Sequence, residues 1–375
     1  MSSTTTLEAT TVAPLNPLHP SVEPLLDPKV VEIYNKYQSN RLRADQVTIE
    51  EFQIDPPRYT FPRVHVAAAP RTVKKTTLHK VPVTTPPGEI EVEVYYPTDD
   101  KVAAVQSDSS APLPAYVNFH GGGFVLGGLG DDIPMNRHIC QNSPCIVVNV
   151  DYRLSPAYPH PTPVLDCWDS LVWVHANAVE LGIDPTRIAV GGLSAGGCLA
   201  AALAQKMRTQ KELPPLVLQL LIVPVLDARY IPMKSPETVE EAMALDTPYE
   251  SYKTLAFAPM LPMHRLVWFY NYWLGNDPKE HAANAADILA SPLAVASDDE
   301  FVGIAPASIH AAGVDPLVSE AEVYHEKMLK VGVPSELFIY KGMVHPFVQW
   351  EGELLQAREM LDNFATALSK AFYKK

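Results

Sequence analysis

RIAVGGLSAGGCLAAALAQKM, residues 187–207, begins as an apolar strand and ends as an alanine-rich helix, with four glycines and one serine, Ser194, at the junction. A strand that passes directly into a helix turns sharply, and glycine is needed where a Cβ would clash. Gly192-Leu193-Ser194-Ala195-Gly196 is a G-x-S-x-G stretch in that setting. Such a turn thrusts the serine Oγ above the sheet edge, at a helix N-terminus whose free N–H groups favour negative charge. A glycine-rich turn with an incidental serine is the plainer alternative. The strand before and the helix after argue for a nucleophile.

A nucleophilic serine needs donors for the oxyanion it creates. NFHGGGFVLGG, residues 118–128, follows the apolar run AYVNF. Three consecutive glycines at a strand end let backbone N–H groups come close to a substrate oxygen. Gly122 and Gly123 are the expected donors, joined by Ala195, the residue after the serine. A phosphate cradle is disfavoured because no Lys or Thr follows in the spacing such a loop requires. The serine also needs a base and an acid to orient it. Asp315 follows the run ASIHAAG, and His345 comes five residues after ELFIY. Both would stand at the sheet edge above Ser194, His345 taking the serine proton and Asp315 holding the imidazole. Four other residues fit the required positions less well: Glu320 inside an expected helix, Asp227 after LVLQLLIV, His120 in the glycine motif and His310 on a strand.

AYVNF, CIVVNV, RIAV and LVLQLLIV are near-continuous apolar runs, the pattern of strands buried on both faces. Helical stretches separate most of them, which implies a parallel sheet covered by helices on both faces. TTLHKVPV and EIEVEVYYP supply earlier strands, and TDDKVAAVQSDSSAPLP reads as a surface loop. Residues 228–290 break the alternation with aromatics and methionines and no strand. This stretch reads as a helical insertion over the C-terminal edge of the sheet. The organisation expected is a disordered tail (1–16), an N-terminal cap segment (17–70), a first core part (71–227), the cap insertion (228–290) and a second core part (291–375). Met233, Phe257, Met260, Met263, Trp268, Phe269, Tyr272 and Trp273 are too apolar for a solvated insertion and suggest an adaptable apolar pocket.

The 375 residues carry a formal net charge of −14. That disfavours nucleic acid or an anionic membrane as partner. The N-terminus lacks the basic and apolar regions of a signal peptide, and no apolar run is long enough to span a bilayer, so a cytoplasmic protein is expected. Cys140, Cys145, Cys167 and Cys198 have no metal-type spacing. Cys140 and Cys145 are close enough in sequence to pair, but free thiols fit better.

HGGGF (120–124), DYRLSPAYPHP (151–161), GLSAGG (192–197), LASPL (289–293), GVDPL (313–317) and VHPF (344–347) together resemble the hormone-sensitive-lipase-like esterases of the α/β-hydrolase superfamily. LHPSVEPLLD (18–27) is similar to the family's N-terminal cap helix. The resemblance implies an α/β-hydrolase fold with a mostly parallel eight-stranded sheet, helices on both faces and a helical cap. It also implies carboxylesterase activity without a cofactor or metal, the triad Ser194, Asp315 and His345, and the oxyanion donors Gly122, Gly123 and Ala195. His120 and the Asp151–Arg153 stretch would brace the glycine loop. Leu193 stands where the family usually has Asp or Thr, Ala157 replaces a Glu, and Pro346 replaces a Gly. Phe124, Leu193, Met233, Trp268, Tyr272 and Pro346 are the expected pocket residues. The expected partner is a small-molecule ester, short-chain and apolar or aromatic, of the kind met in secondary metabolism; a homodimer is a possible assembly. The competing expectations are acyl transfer, lactone opening or amide hydrolysis by the same triad, and a ligand-binding protein resembling the gibberellin receptors. Those receptors lack the catalytic histidine, which this chain retains as His345.

Overall fold

The computed structural model describes residues 13–373. The apolar runs form the middle of one eight-stranded sheet: β1 (Lys75–Thr84), β2 (Pro87–Tyr96), β3 (Leu113–Phe119), β4 (Ile146–Asp151), β5 (Ile183–Leu193), β6 (Leu218–Ile222), β7 (Ala307–Val314) and β8 (Ser335–Val344). Their order is β1-β2-β4-β3-β5-β6-β7-β8. β2 pairs antiparallel with both neighbours, and every other pairing is parallel. The central strands are apolar at consecutive positions because each face meets its own core. Ile146, Val148 and Val150 of β4 join the cluster containing the helices Thr162–Ala176 and Ala195–Thr209. Val147 joins the opposite cluster, with the helices Pro28–Tyr37 and Leu355–Tyr373.

Several local expectations change. The stretch after β2 is not all loop: Asp99–Ala103 is a short helix. β8 does not stop at Tyr340 but runs to Val344, so His345 follows it directly. A register shift between Ala312 and Val314 of β7 lets pairing resume at Val314–Val344 across the interruption of Lys341-Gly342. Of the tail assigned to 1–16, residues 1–12 lie outside the described residues. Asn16 is not free: it is buried, and its amide donates to the Arg41 carbonyl at 2.7 Å and accepts from Arg43 Nη1 at 2.6 Å.

The regular elements of the 228–290 stretch are all helices, of which Met263–Leu274 is the longest. All four cysteines are unbridged and buried. Among the described residues, no helix is long and apolar enough to cross a membrane.

Candidate active site

β5 delivers Ser194 to the sheet edge in a conformation that a residue with a Cβ rarely adopts, φ 58°, ψ −112°. The turn is held from both sides. Ser194 N–H donates to the Ile222 carbonyl at 2.7 Å, and its carbonyl accepts from Cys198 N at 3.1 Å. Glycine is required on either flank: a Cβ would lie 2.2 Å from the Phe119 carbonyl oxygen at Gly192 and 1.8 Å from it at Gly196. Ala195 opens the helix Ala195–Thr209, so its N–H has no intrahelical acceptor. The cost of such backbone strain is about 1–3 kcal/mol per residue, tolerated where the surroundings over-determine it. Among the described residues four non-glycine residues have positive φ, and three of them — Phe124, Ser194 and Met260 — line one cavity.

The HGGGF segment turns back at the end of β3. The Gly122 carbonyl accepts from Val125 and Leu126 N–H at 3.1 and 2.9 Å, while the N–H groups of Gly122 and Gly123 find no acceptor among the described residues. His120 lies behind the loop. Its Nδ1–H donates to the Gly121 carbonyl at 2.7 Å, and its ring stacks on Tyr152 at 4.2 Å. The Tyr152 hydroxyl donates to the His120 carbonyl at 2.8 Å, and Arg153 forks onto buried Asp166 at 2.9 and 2.7 Å. The DYR stretch thus ties the loop to the helix Thr162–Ala176.

Asp315 follows β7 and His345 follows β8. Asp315 Oδ2 accepts from His345 Nδ1–H at 2.8 Å, and Oδ1 accepts from Leu317 N–H at 3.0 Å. Both side chains are buried, and each carboxylate oxygen has a donor. A carboxylate only accepts, so this contact places a proton on Nδ1, and in the neutral ring Nε2 is then the acceptor nitrogen. His345 and Ser194 line the same cavity without a direct hydrogen bond between them. Such contacts commonly tighten only when substrate is bound.

The competing residues are committed elsewhere. Asp227 is a buried ion-pair partner of Arg229 at 2.8 Å and accepts from the Tyr249 hydroxyl at 2.6 Å. Glu320 accepts from Asp227 N–H at 2.7 Å and from Tyr252. His310 is buried against Phe338, their ring centroids 4.8 Å apart, and burial lowers its pKa to about 3.

The cavity holds about 460 Å³. Gly122, Gly123, Phe124, Leu193, Ser194, His345 and Pro346 line it, as do Met260 and Phe269 of the insertion. Met233, Trp268 and Tyr272, expected in the pocket, do not line it. The helix Met263–Leu274 turns Arg265, Leu266, Phe269 and Tyr270 toward the cavity, which puts Trp268 and Tyr272 on another face, where they pack edge to face at 5.0 Å. Met233 meets the same helix through its carbonyl, which accepts from Asn271 at 3.3 Å. Of the other insertion residues, Trp273 is core, stacked on Phe124 at 3.6 Å, Met263 is buried, and Phe257 stacks on His19. Sequence reasoning missed Phe52, Phe61 and Arg63 of the N-terminal segment and Arg265 of the insertion. Arg265 and Phe269 at i, i+4 spacing in an apolar helix was the one available signal.

A profile of the alpha/beta hydrolase fold family matches residues 116–349. An AB hydrolase superfamily protein of Schizosaccharomyces pombe is 34% identical over 98% of this chain and its own full length. Carboxylesterase NlhH of Mycobacterium tuberculosis is 36% identical over 76% of this chain and 79% of its own. Among solved structures, EstE1, a thermostable carboxylesterase cloned from a metagenomic library, is 33% identical and superposes with a TM-score of 0.70 over 87% of this chain and 98% of its own.

Proposed function

The chain belongs to the alpha/beta hydrolase fold family, in its hormone-sensitive-lipase-like carboxylesterase branch, and is a carboxylic ester hydrolase; on that premise we propose that it cleaves short-chain esters of a small apolar or aromatic alcohol through an acyl enzyme on Ser194. His345 Nε2 takes the Ser194 proton as Oγ attacks the ester carbonyl. The N–H groups of Gly122, Gly123 and Ala195 receive the oxyanion of the tetrahedral intermediate. As that intermediate collapses, His345 returns the proton to the leaving alkoxide. Water, deprotonated by His345, then releases the acid and regenerates Ser194. Asp315 holds the ring and stabilises the imidazolium formed in each half-reaction.

The observation that carries this reading is the 2.8 Å Asp315–His345 contact in the cavity that Ser194 lines, opposite backbone donors with no acceptor of their own. The short-chain preference is supported by the cavity's size and by the aromatic wall of Phe124 and Phe269. The 17–70 and 228–290 segments act as one cap, since residues of both line the cavity with the serine.

Ser194→Ala should lower kcat for p-nitrophenyl acetate by roughly four orders of magnitude or more with the fold intact. A fluorophosphonate should add one equivalent to the native protein and none to the variant, read by intact-mass spectrometry. A folded variant that keeps most of its activity would sink the assignment.

A further inference from the structure

Arg265 is a cation in the cavity wall that ester hydrolysis does not employ. It lies on the helix Met263–Leu274 with its side chain only 15% exposed. Its Nη1 donates to the Met260 carbonyl at 2.9 Å, and its guanidinium stands over Phe269 at 5.6 Å. Nε is 3.5 Å from Asp45 Oδ1 and makes no hydrogen bond there, and Nη2 has no acceptor among the described residues. Asp45, whose side chain is fully buried, is already satisfied. Arg43 reaches it at 3.2 Å through Nε and Nη2, and His264 at 2.9 Å. Burial works against the Asp45 charge, yet His264, Arg265 and Arg43 hold its carboxyl well below the usual range.

Arg265 has the weaker share of its carboxylate. One carboxylate is shared between two guanidiniums, and Arg43 makes the shorter contacts. The other arginine of the cavity wall, Arg63, is paired with Asp131. Asp315 is engaged by His345, so Arg265 is the charged group of this wall with the weakest counter-charge contact, 3.5 Å. A partly desolvated guanidinium with an unmet Nη2 donor is completed by a carboxylate through a charge-assisted hydrogen bond.

We propose that Arg265 forms an anion subsite of the reaction cavity, so that the preferred substrates are short esters carrying a carboxylate: half-esters of small dicarboxylic acids or acylated hydroxy acids. The proposal rests on the reading of Ser194 as nucleophile. A purely structural Arg265, bracing the strained Met260 turn (φ 71°), would affect charged and neutral substrates alike.

The test compares kcat/KM at pH 8 within two matched pairs, monomethyl against dimethyl glutarate and 4-acetoxybenzoate against its methyl ester. Wild type, Arg265→Gln, Arg265→Lys and Ser194→Ala are assayed in parallel. The native enzyme should prefer the charged member of at least one pair by about tenfold or more, the scale of one charge-assisted hydrogen bond. Arg265→Gln should bring that ratio to about one or below. Arg265→Lys, which keeps the charge but loses the fork, should fall between and serves if the Gln variant does not fold. A native ratio of one or less in both pairs, or a ratio that survives both substitutions, overturns the subsite alone. Native protein inert to all four esters likewise overturns the subsite alone, whereas activity that survives Ser194→Ala overturns the Ser194 reading and the subsite with it.

Discussion

Ser194 Oγ acts only if its backbone stays in the left-handed region, and that depends on two neighbours without side chains. Gly192 and Gly196 leave room for the Phe119 carbonyl, which any Cβ at either position would strike. Asp315 and His345 depend on each other in a different way. Without the carboxylate, the ring loses both its orientation and the charge that stabilises imidazolium. Groups that act as a unit are non-additive when removed. Asp315→Ala and His345→Ala should each lower kcat by roughly four to six orders of magnitude, and the double variant should lie within a few-fold of the worse single. Losses that multiply instead would mean that one of the two works outside the triad. The places of these three residues were legible in the sequence because each follows an apolar run that becomes a strand, β5, β7 or β8. The strain at Phe124 and Met260 was not, because positive φ at a bulky residue follows from packing and has no local signature.

At the scale of elements, the helix Val318–Lys330 is tied to the segment that follows β6 by one buried carboxyl. Glu320 Oε2 accepts from the N–H groups of Leu226 and Asp227, and Oε1 from Tyr252. Burial raises its pKa to about 8; the Tyr252 hydroxyl and the backbone donors pull it down, and the Asp227 charge pushes it up. Native Glu320 thus keeps a proton that the unfolded chain releases at its ordinary pKa. Its contribution to stability is complete at low pH and lost as pH rises toward 8, at up to about 1.4 kcal/mol per pH unit. Glu320→Gln keeps an acceptor oxygen and removes the titration. In urea unfolding between pH 5 and 8, wild type should lose stability relative to this variant as pH rises. A difference that stays constant with pH would contradict the assignment. The sequence placed Glu320 correctly on a helix, but its protonation state is set by burial and by a chain segment about ninety residues away. The end of β8 was misread for a related reason: Lys341-Gly342 breaks the apolar pattern, and only the shifted pairing with β7 carries the strand on to Val344.

At the scale of the whole molecule, the cavity exists because three distant segments meet over the sheet edge: residues around Phe52–Arg63, the glycine loop, and the helix Met263–Leu274. Phe269 packs closely on the glycine loop, since a Cβ on Gly123 would lie 2.3 Å from its ring. Steric exclusion by such a ring grows sharply with chain length, whereas each methylene that fits adds only about 1 kcal/mol. In a p-nitrophenyl series from acetate to palmitate without micelles, kcat/KM should peak at roughly two to six acyl carbons and then fall steeply. Phe269→Ala should move the peak to longer chains and cost about 3–5 kcal/mol in stability. Palmitate as the best native substrate, or an unchanged profile in the variant, would show that Phe269 does not bound the acyl site.

The sequence by itself determined the sheet, the strand–helix elbow at Ser194 and the places of Asp315 and His345 after two late strands. Continuous apolar runs can be buried only between two layers, and a nucleophile elbow requires its glycines in sequence beside the serine. Tertiary structure alone decided which side of the insertion helix faces the serine, and so replaced Met233, Trp268 and Tyr272 with Arg265, Leu266 and Tyr270 in the cavity wall. It also decided that Asn16 and Arg43 help to hold the polar cluster around Asp45 beside that wall. A helix that is apolar nearly all round carries little local information about its inward face, because that orientation is set by the elements packed against it.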